Sequence, residues 1–225
     1  MSESQPYRLP MFPLGTTLLP GAALPLNVFE PRYTALLEHC LDPDHPRHDP
    51  AHAAEFGVVL IERGHEVGGG DVRTSVGTVA RIVDAQSSDD RYRVLAVGVR
   101  RLRVTRWLPD DPYPLADVTD WDDDRETHER AVVESPSIEA AFDVVRRVLA
   151  LSVELGDIPS DYLQRVPGEL ASDPAWATYQ LAALAPIGSA DRQRILNGRT
   201  VADRLVVIDE ALEDIEMTLR FRLSP

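Results

Sequence analysis

The segment HCLDPDHPRHDPAH, residues 39–52, interleaves Cys40, His45, His48 and His52 with Asp42, Asp44 and Asp49. All are residue types that ligate zinc. Their spacing follows no standard zinc pattern, and Pro43, Pro46 and Pro50 make the segment a loop with little inherent preorganisation. No metal or other cofactor is expected, and His45, His48 and His52 are the residues that would supply ligands if one were bound. EVGGGD, residues 66–71, has the glycines of a phosphate-cradling loop, but a dinucleotide site needs a helix to open directly after it. A strand pattern follows instead, so the segment is expected to be a turn.

Arg91, Arg93, Arg100, Arg101, Arg103 and Arg106 form the one basic concentration. On an unbulged strand Arg91, Arg93, Arg101 and Arg103 would share a face able to follow a phosphate backbone. Asp89, Asp90, Asp110 and Asp111 flank them, and only Tyr92 and Trp107 lie near for base stacking. A salt-bridged, solvated face is the expectation, with RNA binding through residues 91–106 as the alternative. There is no GxSxG elbow, and the serines fall in polar loops or helix starts. All 23 basic residues are arginine. Without lysine there is no Walker A loop, no Schiff base and no Ser-Lys nucleophile pair. The expected function is therefore non-enzymatic.

The chain has 225 residues and a formal charge of −14. That charge is spread evenly, with 13 Arg against 21 acidic residues in 1–127 (−8) and 10 against 16 in 128–225 (−6). Nucleic acid and anionic membranes are poor partners for such a surface. The single cysteine, Cys40, excludes an internal disulfide framework and makes the cytoplasm the expected location.

These side chains must be held by two kinds of element. LPMFPLGTTLLPGAALPLNVF, residues 9–29, carries no charge over 21 residues. Pro10, Pro13, Pro20 and Pro25 would each cost a helix about 3 kcal/mol, so neither an anchor nor a signal peptide is expected. Two short buried strands with a turn at LLPGA are expected, the second with Leu24, Leu26 and Val28 inward and Ala23, Pro25, Asn27 and Phe29 outward. A helix at RYTALLEHCL follows. EFGVVLIERG, SVGTVARIVDA, RYRVLAVGVRRLRVTRW with a bulge at Gly98, and PDDPYPLADVTDW read as further strands. DWDDDRETHE, residues 120–129, reads as an acidic, solvated linker. Helical spacing then begins: Ser135-Pro136 as a start, Ile138, Phe142, Val145 and Leu149 in phase up to Gly156, Asp173-Pro174 as a second start, and Asn197-Gly198 as a stop. The last helix opens at Thr200 with Asp203 as a capping box. It carries Val201, Leu205, Ile208, Leu212, Ile215 and Leu219 as one seam, with Leu223 a turn beyond.

LPMFPLG and LLPGAALPLNVFEPRY, with FGVVLIERG, VGTVARI and the Gly98/Arg101 pair of VGVRRLRV, resemble the N-terminal substrate-binding domain of the Lon ATP-dependent protease. That domain also occurs as a free-standing bacterial protein. WATYQLAALAPI, DRQRIL and the last helix are similar to the bundle that follows it. The resemblance implies an α+β protein: a PUA-like β pseudo-barrel with one early helix over residues 1–122, then an α-helical bundle over 129–225. It implies recognition of unfolded or partner polypeptides, with a protease or ATPase as a further partner in an adaptor role. Lon itself continues into ATPase and Ser-Lys protease modules. This chain ends at Pro225 without a lysine, so neither activity is expected. The expected contact surface joins Phe29, Glu30, Arg32 and Tyr33 to Arg101 and Arg103 on the arginine strand, because Tyr and Arg are frequent interface hot spots.

Overall fold

The computed structural model describes residues 5–45, 47, 49–63, 72–88, 91–123 and 137–223. The charge-free opening forms two strands, β1 (Tyr7–Leu14) and β2 (Ala23–Val28). After them come α1 (Pro31–Leu41), a 3-10 turn (Pro50–His52), β3 (Glu55–Arg63), β4 (Val72–Ser88), β5 (Arg91–Leu108) and β6 (Leu115–Asp120). The sheet order is β2-β5-β4-β3-β1-β6, and β6 pairs back onto β5, closing five strands into a barrel with β2 outside the ring.

β1 shows how a proline-rich strand enters a barrel wall. Tyr7–Pro10 pairs antiparallel with β6, whereas Met11–Leu14 pairs parallel with β3. Each half of β1 thus has a ladder on one side, which is the position proline tolerates in a sheet. The two-residue period sends Leu9 and Met11 into one apolar layer with Val59, Val79, Leu102, Ala116 and Val118. Phe12 and Leu14 point the other way, into a layer shared with Leu24, Val28, Phe56, Ile82 and the Tyr33, Leu36 and Leu37 side of α1.

β5 changes partner midway. Its first part pairs with β2, from Val28 opposite Tyr92 to Ala23 opposite Val97, and its last part pairs with β6. Gly98 lies at the changeover: its N–H donates to Ala22 O (3.0 Å) and its carbonyl accepts from Gly21 N–H (2.8 Å). A Cβ there would sit 2.4 Å from Leu19 O. Because that neighbour is backbone, Gly98→Ala is expected to cost about 1–3 kcal/mol by overpacking, read as a lower urea midpoint for the barrel. On the β4 side, Ala80 faces Gly98 and Val79 faces Arg100, leaving Val99 as the extra residue of a bulge. Val94 and Ala96 pack in the α1-side layer, yet Leu102, of the same parity, packs in the other. The bulge inverts the strand's phase. Arg91 and Arg93 therefore do not share a face with Arg101 and Arg103.

Two compact units divide the chain, Met1–Asp122 and Asp123–Pro225. The second contains α2 (Ile138–Glu154), a 3-10 turn (Ser160–Arg165), α3 (Pro174–Leu184), α4 (Ser189–Asn197) and α5 (Val201–Leu223). Ser135 and Pro136 lie outside the described residues. The cap of α2 is Ser137, whose hydroxyl accepts from Ala140 N–H (3.0 Å). Asp173 caps α3 in the same way through Trp176 N–H, with Pro174 in the first turn. Thr200 and Asp203 form a reciprocal capping box, each side chain accepting from the other's N–H at 3.0 Å. Gly198 follows α4 in an extended conformation rather than a left-handed one. Its lack of a side chain serves packing, since a Cβ would lie 2.7 Å from Arg204 Cγ.

The seam of α5 is buried at Val201, Leu205, Ile208, Leu212 and Leu219, with Arg204 and Ala211 in the same stripe. Leu223 is exposed instead of continuing it. The acidic run expected to be solvated begins inside folded structure: Asp120 ends β6, and Asp123 binds Arg204. Asp124 to Glu129 lie outside the described residues.

Candidate functional site

β2 runs through Phe29 into α1, with Glu30 at the N-cap and Pro31 in the first turn. The Glu30 carboxylate does not cap the helix; it accepts from Arg32 Nε (3.0 Å). The Arg32 guanidinium lies 4.5 Å from the Tyr33 ring centroid. Tyr33 itself is buried and stacks on Phe12 at 3.9 Å, so its ring belongs to the core. Phe29 is the contrary case. Its side chain is 67% exposed.

An exposed face of the first unit lies on the strand that leads into Phe29. Ala23, Pro25 and Asn27 are exposed on β2. Pro25 faces Leu95 of β5, which is 40% exposed. Leu95 in turn faces Asp84 beside a β4 bulge whose extra residue, Val83, is 56% exposed. Pro25, Leu95 and Val83 therefore form a row across three strands. Exposed apolar side chains that adjoin one another mark binding surfaces more often than scattered ones do.

Arg101 and Arg103 lie elsewhere. Val28 pairs with Tyr92, and the strand from there to Arg101 spans about 30 Å. Arg101 is buried, and both guanidiniums pack on the Trp121 ring at 4.4 and 4.5 Å from its centroid. The structure keeps Phe29, Glu30 and Arg32 together, gives Tyr33 to the core, and separates the Arg101–Arg103 pair from them. Leu95 and Val83 did not stand out in the sequence, because a lone apolar residue facing out of a strand is indistinguishable from one facing in.

A second feature is a cleft of about 690 Å³ lined by residues including His39, Cys40, Arg47, His52, Glu55 and Asp111. Its polar groups are engaged with one another. His39 Nε2 lies 2.7 Å from Arg47 O, which can only accept, so this nitrogen carries the proton; Nδ1 meets the Tyr113 hydroxyl at 2.6 Å. The Cys40 thiol donates to Glu55 O (3.3 Å), and burial, helped by the Glu55 charge, pushes it up to about 12. It is no nucleophile at neutral pH. His45 stacks on His39 and His52 on Tyr7, while His48 lies outside the described residues. Among the described residues, no three His, Cys, Asp or Glu side chains are placed to hold a metal.

Beside the cleft, Glu55 is 3% exposed and accepts two hydrogen bonds from Arg100 (2.8 and 2.9 Å) and two from Arg81 (2.7 and 3.2 Å). Arg100 Nε also donates to Asp120 (2.9 Å), which accepts from the Tyr7 hydroxyl as well (2.6 Å). Burial pushes the Glu55 carboxyl up, but the hydrogen bonds from Arg100 and Arg81 outweigh it and hold the group below its usual value. Burial and the bond to Asp120 push the Tyr7 hydroxyl well above the ordinary tyrosine range. The network joins β1, β3, β4, β5 and β6. It does structural service.

The sequence profile of the ATP-dependent protease La (LON) substrate-binding domain matches residues 8–214. No curated protein matches the chain in sequence. Among solved structures, a Lon N-terminal domain protein from Xanthomonas campestris is similar over 89% of this chain and 95% of its own, at 26% identity and a TM-score of 0.55. The N-terminal domain of a Mycobacterium avium complex Lon protease is similar in fold over 92% of this chain and 99% of its own, at 18% identity and a TM-score of 0.57. No helix among the described residues is long and apolar enough to cross a membrane.

Proposed function

Because the chain belongs to the ATP-dependent protease La (LON) substrate-binding domain family, we propose that it is a cytoplasmic, non-enzymatic adaptor that captures apolar stretches of unfolded polypeptide on the outer face of β2, β5 and β4. Captured chains are then passed to a protease or ATPase. The substrate-binding domain of this family is non-catalytic. The observation that carries the reading is the exposed row Pro25, Leu95 and Val83, with Phe29 exposed four residues beyond Pro25, on a protein of formal charge −14. Acidic surroundings keep such a protein soluble while the strip remains available.

Four of the arginines of residues 91–106 are engaged within the barrel and lend no support to RNA binding. Arg100 is tied to Glu55 and Asp120, Arg106 to Asp117, and Arg101 and Arg103 lie against Trp121.

Leu95→Asp is expected to weaken capture of reduced, carbamidomethylated ribonuclease, a permanently unfolded chain, by about tenfold or more, since it places a charge in the centre of a desolvated contact. Fluorescence anisotropy at physiological salt reads the effect. Equal binding by the variant and the original protein would refute the surface.

A further inference from the structure

Resting on that reading of the β2–β5–β4 face, we infer that the bound segment joins the sheet as an additional strand along the free edge of β2. Among the described residues, β2 stands first in the sheet order and its ladder partner is β5 alone. The phase of the ladder follows from Gly98 donating to Ala22 O and from the register of Ala23 with Val97 through Val28 with Tyr92. In an antiparallel pair alternate residues turn both backbone groups towards the partner. Leu24, Leu26 and Val28 therefore serve β5. Ala23, Pro25 and Asn27 turn theirs outward, and all three are exposed.

The edge offers an N–H and a carbonyl at Ala23, a carbonyl at Pro25, and an N–H and a carbonyl at Asn27. Donors and acceptors repeating at a two-residue spacing of about 7 Å match another extended backbone. A strand laid there places alternate side chains beside Pro25, continuing the row of Leu95 and Val83 and reaching towards Phe29. The occupant is an extended segment of another polypeptide, apolar at alternate positions and uncharged or basic. A net charge of −14 opposes an acidic segment and equally opposes a second copy of this chain. Pro25 has a further role. By removing the central donor it weakens the edge as a template for indiscriminate pairing while leaving the flanking groups in place.

Two substitutions that move the edge in opposite directions test the mode in the 225-residue chain, again by anisotropy with reduced, carbamidomethylated ribonuclease. Asn27→Pro deletes an outward N–H and leaves the β2–β5 ladder intact; binding is expected to weaken about 3- to 10-fold, the value of one hydrogen bond. Pro25→Ala restores the missing donor and is expected to tighten binding about 3-fold. If thermal melting shows Asn27→Pro to be unfolded, Pro25→Ala alone decides. Should both bind like the original protein while Leu95→Asp still loses binding, strand addition is wrong and the apolar surface stands. Should Leu95→Asp also bind normally, the surface itself is wrong.

Discussion

Asp123→Ala is expected to destabilise the helical unit by about 3–5 kcal/mol, the cost of leaving a buried charge without its partner. Arg204 rises from the apolar seam of α5 and its side chain is wholly buried. Its fork is nevertheless filled. Nε donates to Thr178 Oγ1 (2.9 Å), one terminal nitrogen to Asp123 (2.9 Å) and the Tyr179 hydroxyl (3.1 Å), and the other to the second Asp123 oxygen (2.5 Å). The guanidinium also lies 4.7 Å from the Tyr179 ring centroid. Burial opposes the charge, and the bonds to Asp123 outweigh it. The two partners are not equivalent, because the Asp123 side chain is 24% exposed. Arg204→Met leaves behind a carboxylate that water can reach, so it should cost less, about 1–3 kcal/mol. Urea titrations followed by helix-sensitive circular dichroism give both values. Equal losses, or losses under about 1 kcal/mol, would mean that the pair does not anchor the unit.

Glu55→Gln is expected to cost the barrel about 2–3 kcal/mol, somewhat below the figure for a sealed pair because Arg100 is 27% exposed. The amide keeps the shape but gives up a carboxylate that receives four hydrogen bonds from two arginines. A pH dependence goes with it. The folded carboxyl is held below the usual glutamate value of 4.5, so the folded state binds its proton less readily than the unfolded chain does. The stabilisation is therefore complete above that usual value and is lost as pH falls through the lower, folded one. Barrel stability measured from pH 7 down to pH 3 should decline steeply in the original protein and less steeply in Glu55→Gln. Parallel curves would rule out Glu55 as a source of the acid sensitivity.

Local signals in the sequence were reliable where one residue type decides the outcome. Four prolines in a charge-free stretch kept β1 and β2 out of helix, Asp173-Pro174 and the Thr200/Asp203 box set two helix starts, and a glycine in a long strand located the β5 bulge. What stayed hidden depends on partners distant in the chain. Glu55 opens an apolar run and looks like a strand's exposed end until Arg100 and Arg81 are brought to it. Arg204 looks like a surface residue, although its place between Val201 and Leu205 puts it on the seam, and that spacing was the available clue. A bulge was legible at Gly98, one residue from the Val99 that forms it, but its consequence for the arginines required knowing which strands flank each half of β5. The candidate surface was seen in part: Phe29 was legible from the alternation in β2, whereas Leu95 and Val83 gain meaning only from cross-strand register.

The divided pairing of β1 has a bearing on biosynthesis. β1 is synthesised ahead of the other strands of its barrel, yet it is joined on one flank by residues as remote as Asp120, 113 positions from the Tyr7 that contacts it. Until that late segment has been released, Leu9 and Met11 lack the Ala116 and Val118 that cover them, and the nascent chain holds an unsealed apolar ribbon. Closure of so non-local a ring is slow compared with coiling of the downstream helices. During translation the molecule is thus itself an unfinished polypeptide of the kind it is proposed to bind, with its own β1 as the exposed segment.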